Sequence, residues 1–210
     1  MRIYQALVLL AVAAAPVAAM ADNLNLSSGT ATYTVTEPNS TTITAVNSNA
    51  NAGWTATIPG ASWISVEATG GTDNSIPNGA YVYTTQFVLT SASDLSGLFA
   101  SDNAANVFLS GTVISGMEFL AGNAYSNSFT SSTSFSALDL GPGMYTLTFD
   151  VENGTGLSTG PDNNSDTGPT GLLVGASTVT AATPEPSSLA LLGTSILGAV
   201  GIARRRLFSR

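Results

Sequence analysis

A chain of 210 residues with thirteen acidic and only five basic side chains carries a net charge of −8, and it contains neither cysteine nor histidine. The missing residue types exclude disulfides, thiol chemistry and zinc held by cysteine or histidine. The scarcity of cations disfavours nucleic acid and anionic membrane surfaces as partners, because both are gripped through lysine and arginine.

Residues 1–21 carry one charge, Arg2, then an apolar run from Ala6 to Val12 that continues through alanines to Ala19-Met20-Ala21. This is the layout of a secretory signal peptide with small residues at the cut, placed before Asp22; a short membrane anchor is the other reading of the same run. Charge then divides the chain. One basic residue is Arg2 and the other four are Arg204, Arg205, Arg206 and Arg210, so residues 22–182 hold none, whereas twelve of the thirteen acids fall there. Two targeting segments therefore bracket one exported body of a size that suits a single domain.

The body reads as strand throughout, in short runs rich in Thr, Ser, Val, Ile and aromatics, punctuated by Gly, Asn, Asp and Pro. In chain order the predicted strands are residues 32–36, 41–46, 54–58, 63–67, 81–89, 106–109, 112–114, 129–135, 145–151 and 172–180. Two carry strict alternation: Tyr81, Tyr83, Thr85, Phe87 and Leu89 share one face, and Tyr145, Leu147, Phe149 and Val151 share another. With no long amphipathic helix between them, these runs predict an all-β fold, an antiparallel β-sandwich or jelly roll of about eight strands or more. Tyr83, Phe87, Leu89, Val107, Leu109, Tyr145, Leu147 and Phe149 form the expected core.

The order Trp54, Trp63, Tyr81-Val82-Tyr83-Thr84-Thr85-Gln86-Phe87-Val88-Leu89, Asp102-Asn103, Val107-Phe108-Leu109-Ser110-Gly111 and Gly143-Met144-Tyr145-Thr146-Leu147 resembles the galactose-binding-like jelly rolls of bacterial surface proteins and glycosidases. The resemblance implies a hairpin following Asp102-Asn103 and ligand binding through loops at one end of the sandwich. The arginine and histidine side chains that often hold sugar hydroxyls in that family are missing here.

Four body residues are candidates for ligand binding. Trp54 and Trp63 could form a stacking platform for a sugar, although the alternation of Trp54 with Ala56 and Ile58 points more to burial. Asp102 and Asn103 could bind a ligand or simply bond their own turn. Asp162, Asn164 and Asp166 have the alternate spacing of calcium ligands, but Thr167 stands where the tight-turn glycine of an EF-hand belongs and Leu173 where its bidentate glutamate belongs. A looser calcium site stays open beside a solvated turn, and calcium is the one cofactor the sequence offers. A serine nucleophile would lack a basic partner, and Glu67, Glu118 and Glu152 show no pairing that spacing alone reveals, so the expectation is a protein without enzymatic activity.

The tail, residues 183–210, opens with Pro184-Glu185-Pro186, continues as an uncharged run and stops at Arg204, Arg205 and Arg206. Residues 187–203 as a helix would span roughly 25 Å, just short of a ~30 Å hydrocarbon core, and the arginines would stay on the cytoplasmic side, leaving the body outside. Triplet, short apolar helix and arginine cluster, in this order, resemble the PEP-CTERM sorting tail of exopolysaccharide-producing Gram-negative bacteria. That resemblance implies an exosortase-type enzyme as partner, cleavage near the triplet, an inner-membrane precursor and a final place on the cell surface or in the extracellular matrix. A rigid stalk before a permanent anchor uses the same residues. Together these features predict a structural protein of the surface or biofilm, associated with exopolysaccharide; a carbohydrate-binding module or a calcium-dependent adhesin are the alternatives.

Overall fold

The computed structural model describes residues 23–123, 128–154 and 167–180. The expected signal peptide, the sorting tail with its apolar helix, and the Asp162, Asn164 and Asp166 loop lie outside the described residues.

The two strongly alternating segments pair with each other at the centre of one sheet. β5 (Gly79–Leu89) and β10 (Gly143–Asn153) run antiparallel over their full lengths, setting Tyr145 opposite Phe87 and Phe149 opposite Tyr83. Period-two spacing sends all four rings to the same side, where Phe87 and Tyr145 stack with centroids 5.5 Å apart. β7 (Ala105–Gly111) lies on the other flank of β10 and adds Val107 and Leu109 to the buried face. β1 (Thr34–Thr36), β2 (Thr42–Thr44) and β8 (Ile114–Gly122) complete a six-stranded sheet in the order β2-β1-β5-β10-β7-β8.

The facing sheet has five strands in the order β3-β4-β11-β6-β9, formed by β3 (Val46–Asn47), β4 (Ile64–Ser65), β11 (Gly171–Thr180), β6 (Ser93–Asp102) and β9 (Thr133–Leu140). Its inner face contributes Leu172, Val174, Leu95, Phe99 and Phe135 to one core with the first sheet. Phe149 joins the two layers, its ring 5.8 Å from Phe99 and 5.7 Å from Phe135. All eight residues expected in the core are buried.

The outer face of the five-stranded sheet is also half covered. Residues 54–63 lie across Leu173 and Ala100, burying Trp54, Ala56, Ile58 and Trp63 in a second, smaller cluster. Two glycines of β11 make room: a Cβ on Gly171 would stand 2.5 Å from Trp54 Cη2, and one on Gly175 would stand 2.2 Å from Ile58 Cγ2.

Several expectations need correcting. Residues 54–58 alternate between buried and exposed as foreseen but form no strand, because the segment rests on a sheet face instead of pairing along an edge. The hairpin expected after Asp102-Asn103 is present as β7 and β8, paired antiparallel with Gly111 opposite Ile114, and the dipeptide itself is the crossover from β6 in the opposite sheet. β6 and β8 were not foreseen, and the predicted strand at 112–114 is the turn into β8.

Candidate functional site

The end of the sandwich where β6, β8 and β10 finish and β7 and β11 begin gathers most of the sequence-nominated side chains. Asp102, the last residue of β6, is only 6% exposed. The Trp54 indole N–H donates to its Oδ2 at 2.7 Å, and the Asn103 amide donates to its Oδ1 at 2.6 Å. The Thr170 hydroxyl donates to the Asp102 carbonyl at 3.0 Å. Burial pushes the Asp102 carboxyl up to about 6, against the opposing pull of the Trp54 and Asn103 donors, which favour the anion.

Asn103 ties the crossover to β10. Its backbone N–H donates to the Glu152 carbonyl at 2.8 Å, while its Oδ1 accepts from the Gly154 N–H at 2.9 Å. These are bonds to a distant strand, not the local turn bonds that Asx side chains usually make. Two further amides brace the same end. Asn123 accepts from the Ala105 N–H at 2.6 Å and donates to the Ser101 hydroxyl at 3.0 Å; Asn153 donates to the carbonyls of Pro77 and Gly168 at 3.0 and 3.2 Å. Spacing gave no sign of Thr170, Asn123 or Asn153, because Asp102 reaches Trp54 and Thr170 across 48 and 68 residues of sequence.

The two tryptophans meet each other. Their ring centroids are 4.4 Å apart at 32°, and they are 6% and 7% exposed. Neither presents an open face to a sugar ring, which corrects the stacking-platform reading: Trp54 is pinned by Asp102 at its nitrogen and lies on Gly171 at its far edge. Chemically the arrangement is a lock that fastens residues 54–63 to the sheet through one carboxylate.

A second acidic group lines a cleft of about 240 Å³ with Glu37, Glu67, Asp73 and Tyr81. Hydrogen bonding to Asp73 holds the Glu67 carboxyl above its ordinary range, whereas the Ser75 hydroxyl and N–H hold Asp73 below its own. Glu118 lies on the exposed strand β8 and Glu152 is buried on β10, so neither joins this pair. Among the described residues no group of three or more acidic side chains is arranged to hold a metal ion.

Comparison with known proteins bears on the tail. Residues 182–206 match the PEP-CTERM protein-sorting motif. The chain is thus an exported β-sandwich protein bearing the C-terminal membrane-anchor signal on which exosortases act. The triplet Pro184, Glu185, Pro186 and the cluster Arg204, Arg205, Arg206 all fall within the matched stretch. No curated protein sequence matches the chain. Among solved structures, a GH2 β-galacturonidase from Eisenbergiella tayi bound to glycerol is similar at 14% identity and a TM-score of 0.37, over 74% of this chain and 24% of that one. The same enzyme bound to galacturonate gives 17% and 0.38 over the same shares. A family 35 carbohydrate-binding module from Clostridium thermocellum gives 11% and 0.38, over 76% of this chain and 99% of the module. The chain spans about a quarter of the length of the galacturonidases, and likeness at this level assigns it neither ligand nor activity.

Proposed function

We propose that this is a structural, non-enzymatic protein of the cell surface or extracellular matrix, freed from the membrane when a sorting enzyme cuts its tail near Pro184-Glu185-Pro186. The observation that carries the reading is the sorting motif at residues 182–206. The prolines fix φ and remove backbone donors, which favours an extended stretch that a peptidase cleft can take up. The apolar run, short for a permanent anchor, holds the substrate in the membrane until processing, and the arginines keep it from slipping through. The strongly acidic body without a single cationic side chain is a soluble, hydrated unit suited to an exopolysaccharide matrix.

The test is the location and mass of the protein in cells with and without the sorting enzyme, comparing wild type with a variant in which Pro184, Glu185 and Pro186 are all alanine. The expected outcome is release of a shortened chain only for wild type in the presence of the enzyme. Unchanged mass and unchanged membrane retention in all four cases would make the tail a plain anchor and remove the reason for placing the body in the matrix.

A further inference from the structure

The six-stranded sheet turns one face to the core and the other outward, and on the outward face the register lines up a single row across all six strands. Thr44 lies opposite Thr34, Thr34 opposite Thr84, Thr84 opposite Thr148, Thr148 opposite Phe108, and Phe108 opposite Phe119. Steps of about 4.8 Å from strand to strand make this a band roughly 24 Å long, threonines running into two phenylalanines. Its ends are open and its middle is low: Thr44 and Phe119 are exposed, whereas Thr148 is only 7% exposed. The row beside it, Gln86, Thr146, Ser110 and Met117, repeats the passage from polar to apolar.

The polar part of this face is held in place by its own members. The Thr34 and Thr84 hydroxyls hydrogen-bond each other at 2.7 Å, those of Thr36 and Thr42 do so at 2.8 Å, and the Gln86 amide donates to the Thr146 hydroxyl at 3.4 Å. Each hydroxyl pair uses one O–H internally and leaves the other, with its lone pairs, for a ligand, so the donors and acceptors are positioned before anything binds. The apolar part has another origin than strand stability. Phe119 is 58% exposed with its ring centroid 5.7 Å from that of Phe108, and Met117, Met144 and Val88 are exposed on the same face. Threonine suits any solvent-facing strand, but large apolar side chains gathered in the open on one face mark a binding surface. Charge then selects the occupant. Residues 22–182 carry twelve acids and no base, so the body repels anionic polymers and draws cationic partners to its acids, not to this band. Neither row contains a charged side chain; Asp150 and the buried Glu152 lie further along β10.

We propose that the outward face of the six-stranded sheet is a binding track for an extended, uncharged polysaccharide, whose hydroxyls meet the threonine end and whose C–H faces meet Phe108, Phe119 and Met117. This rests on the reading of the body as a component of a polysaccharide matrix and names the class of polymer it holds. Hydroxyl and amide side chains take the place of the missing cations, which suits a ligand that carries no charge of its own. The polymer crosses the strands along the sheet, away from the loops at the Asp102 end.

The experiment is native electrophoresis of the full chain, kept in a neutral detergent, through gels containing hydroxyethylcellulose or galactomannan as uncharged extended polymers, or carboxymethylcellulose as an anionic one. At least one neutral polymer should retard the chain, and the anionic one should not. Phe119→Ser should weaken the retardation about tenfold, as loss of an aromatic anchor does, while Phe119→Tyr keeps it. Thr34→Val with Thr84→Val preserves volume, removes the hydroxyl pair and should weaken it about threefold. Leu138→Ser, at an exposed position of β9 in the other sheet, should bind as wild type does. Tryptophan emission reports folding independently, because Trp54 and Trp63 cover the other sheet. Absence of retardation by either neutral polymer would overturn the proposal, as would wild-type binding by the folded Phe119→Ser or double-valine chain, or anionic retardation at least as strong as neutral. Sedimentation of the same proteins tests the other occupant: a wild-type dimer that Phe119→Ser abolishes would assign the face to a second copy instead. A chain that binds a neutral polymer but is never cut refutes only the reading of the tail, and one that is cut but does not bind refutes only the track.

Discussion

Replacing Asp102 with asparagine should flatten the dependence of stability on pH between about 4 and 7. The carboxyl is raised from its ordinary 3.8 to about 6 in the folded protein, chiefly because burial penalises the anion. Folding therefore favours the protonated form. Its contribution is fully present below about 3.8 and is lost as pH rises through about 6, so the wild type should weaken across that window. Each tenfold change in proton affinity is worth about 1.4 kcal/mol, which sets the loss at no more than about 3 kcal/mol. Residual structure in the unfolded chain narrows the difference between the two states, so the measured figure should fall below this. The amide introduced by Asp102→Asn is neutral throughout: its carbonyl can still accept from the Trp54 indole, while its NH₂ faces the Asn103 amide that formerly donated. One hydrogen bond is lost, at a cost of about 1 kcal/mol, and the pH slope goes with the carboxylate.

The assay is denaturant unfolding of both proteins at pH 4, 5, 6 and 7, followed by tryptophan fluorescence. Trp54 and Trp63 are the two tryptophans of the chain and sit at the perturbed group. Taking the difference between variant and wild type at each pH removes the titration of distant carboxylates. The variant should gain on the wild type as pH rises. A difference that is constant from pH 4 to 7, or that moves the other way, would refute the argument that burial of Asp102 outweighs its two donors.

Leu147→Ala should destabilise the body by about 2 to 5 kcal/mol, measured by thermal or denaturant unfolding, because Leu147 is fully buried at the centre of β10 between Thr85 and Leu109. Gly171→Ala should cost about 1 to 3 kcal/mol and change the tryptophan emission, since the new methyl would overlap the Trp54 ring at 2.5 Å while the backbone around it is fixed in β11; an unchanged spectrum and stability would mean that the ring can move aside.

What the linear sequence discloses depends on how each feature is encoded. β5 and β10 are legible because large side chains occupy nearly every inward position, so period two appears directly in the letters. β6 hides the same geometry: its inward row includes Ser93 and Gly97 among Leu95 and Phe99, and the glycine is there because the Phe135 ring fills the space a side chain would take. β8 has no pattern to read, since it is an edge strand with Met117 and Phe119 exposed and no single face committed to the core. The segment with Trp54 is ambiguous in the opposite direction. Its alternation reports burial correctly, yet burial against a sheet face and burial within a strand leave the same trace.

The lock around Asp102 was half visible for a related reason. Its residue types stand out, but its chemistry lies in which side chains the register brings together: a carboxylate and an indole 48 residues apart cannot be told from two unrelated polar and aromatic positions until the sheets are placed. The sorting tail is the opposite case. Its matched stretch is contiguous, with prolines, apolar run and arginines following one another along residues 182–206. A processing enzyme and a bilayer both act on chain in the order it is written, so nothing about that signal waits on tertiary pairing.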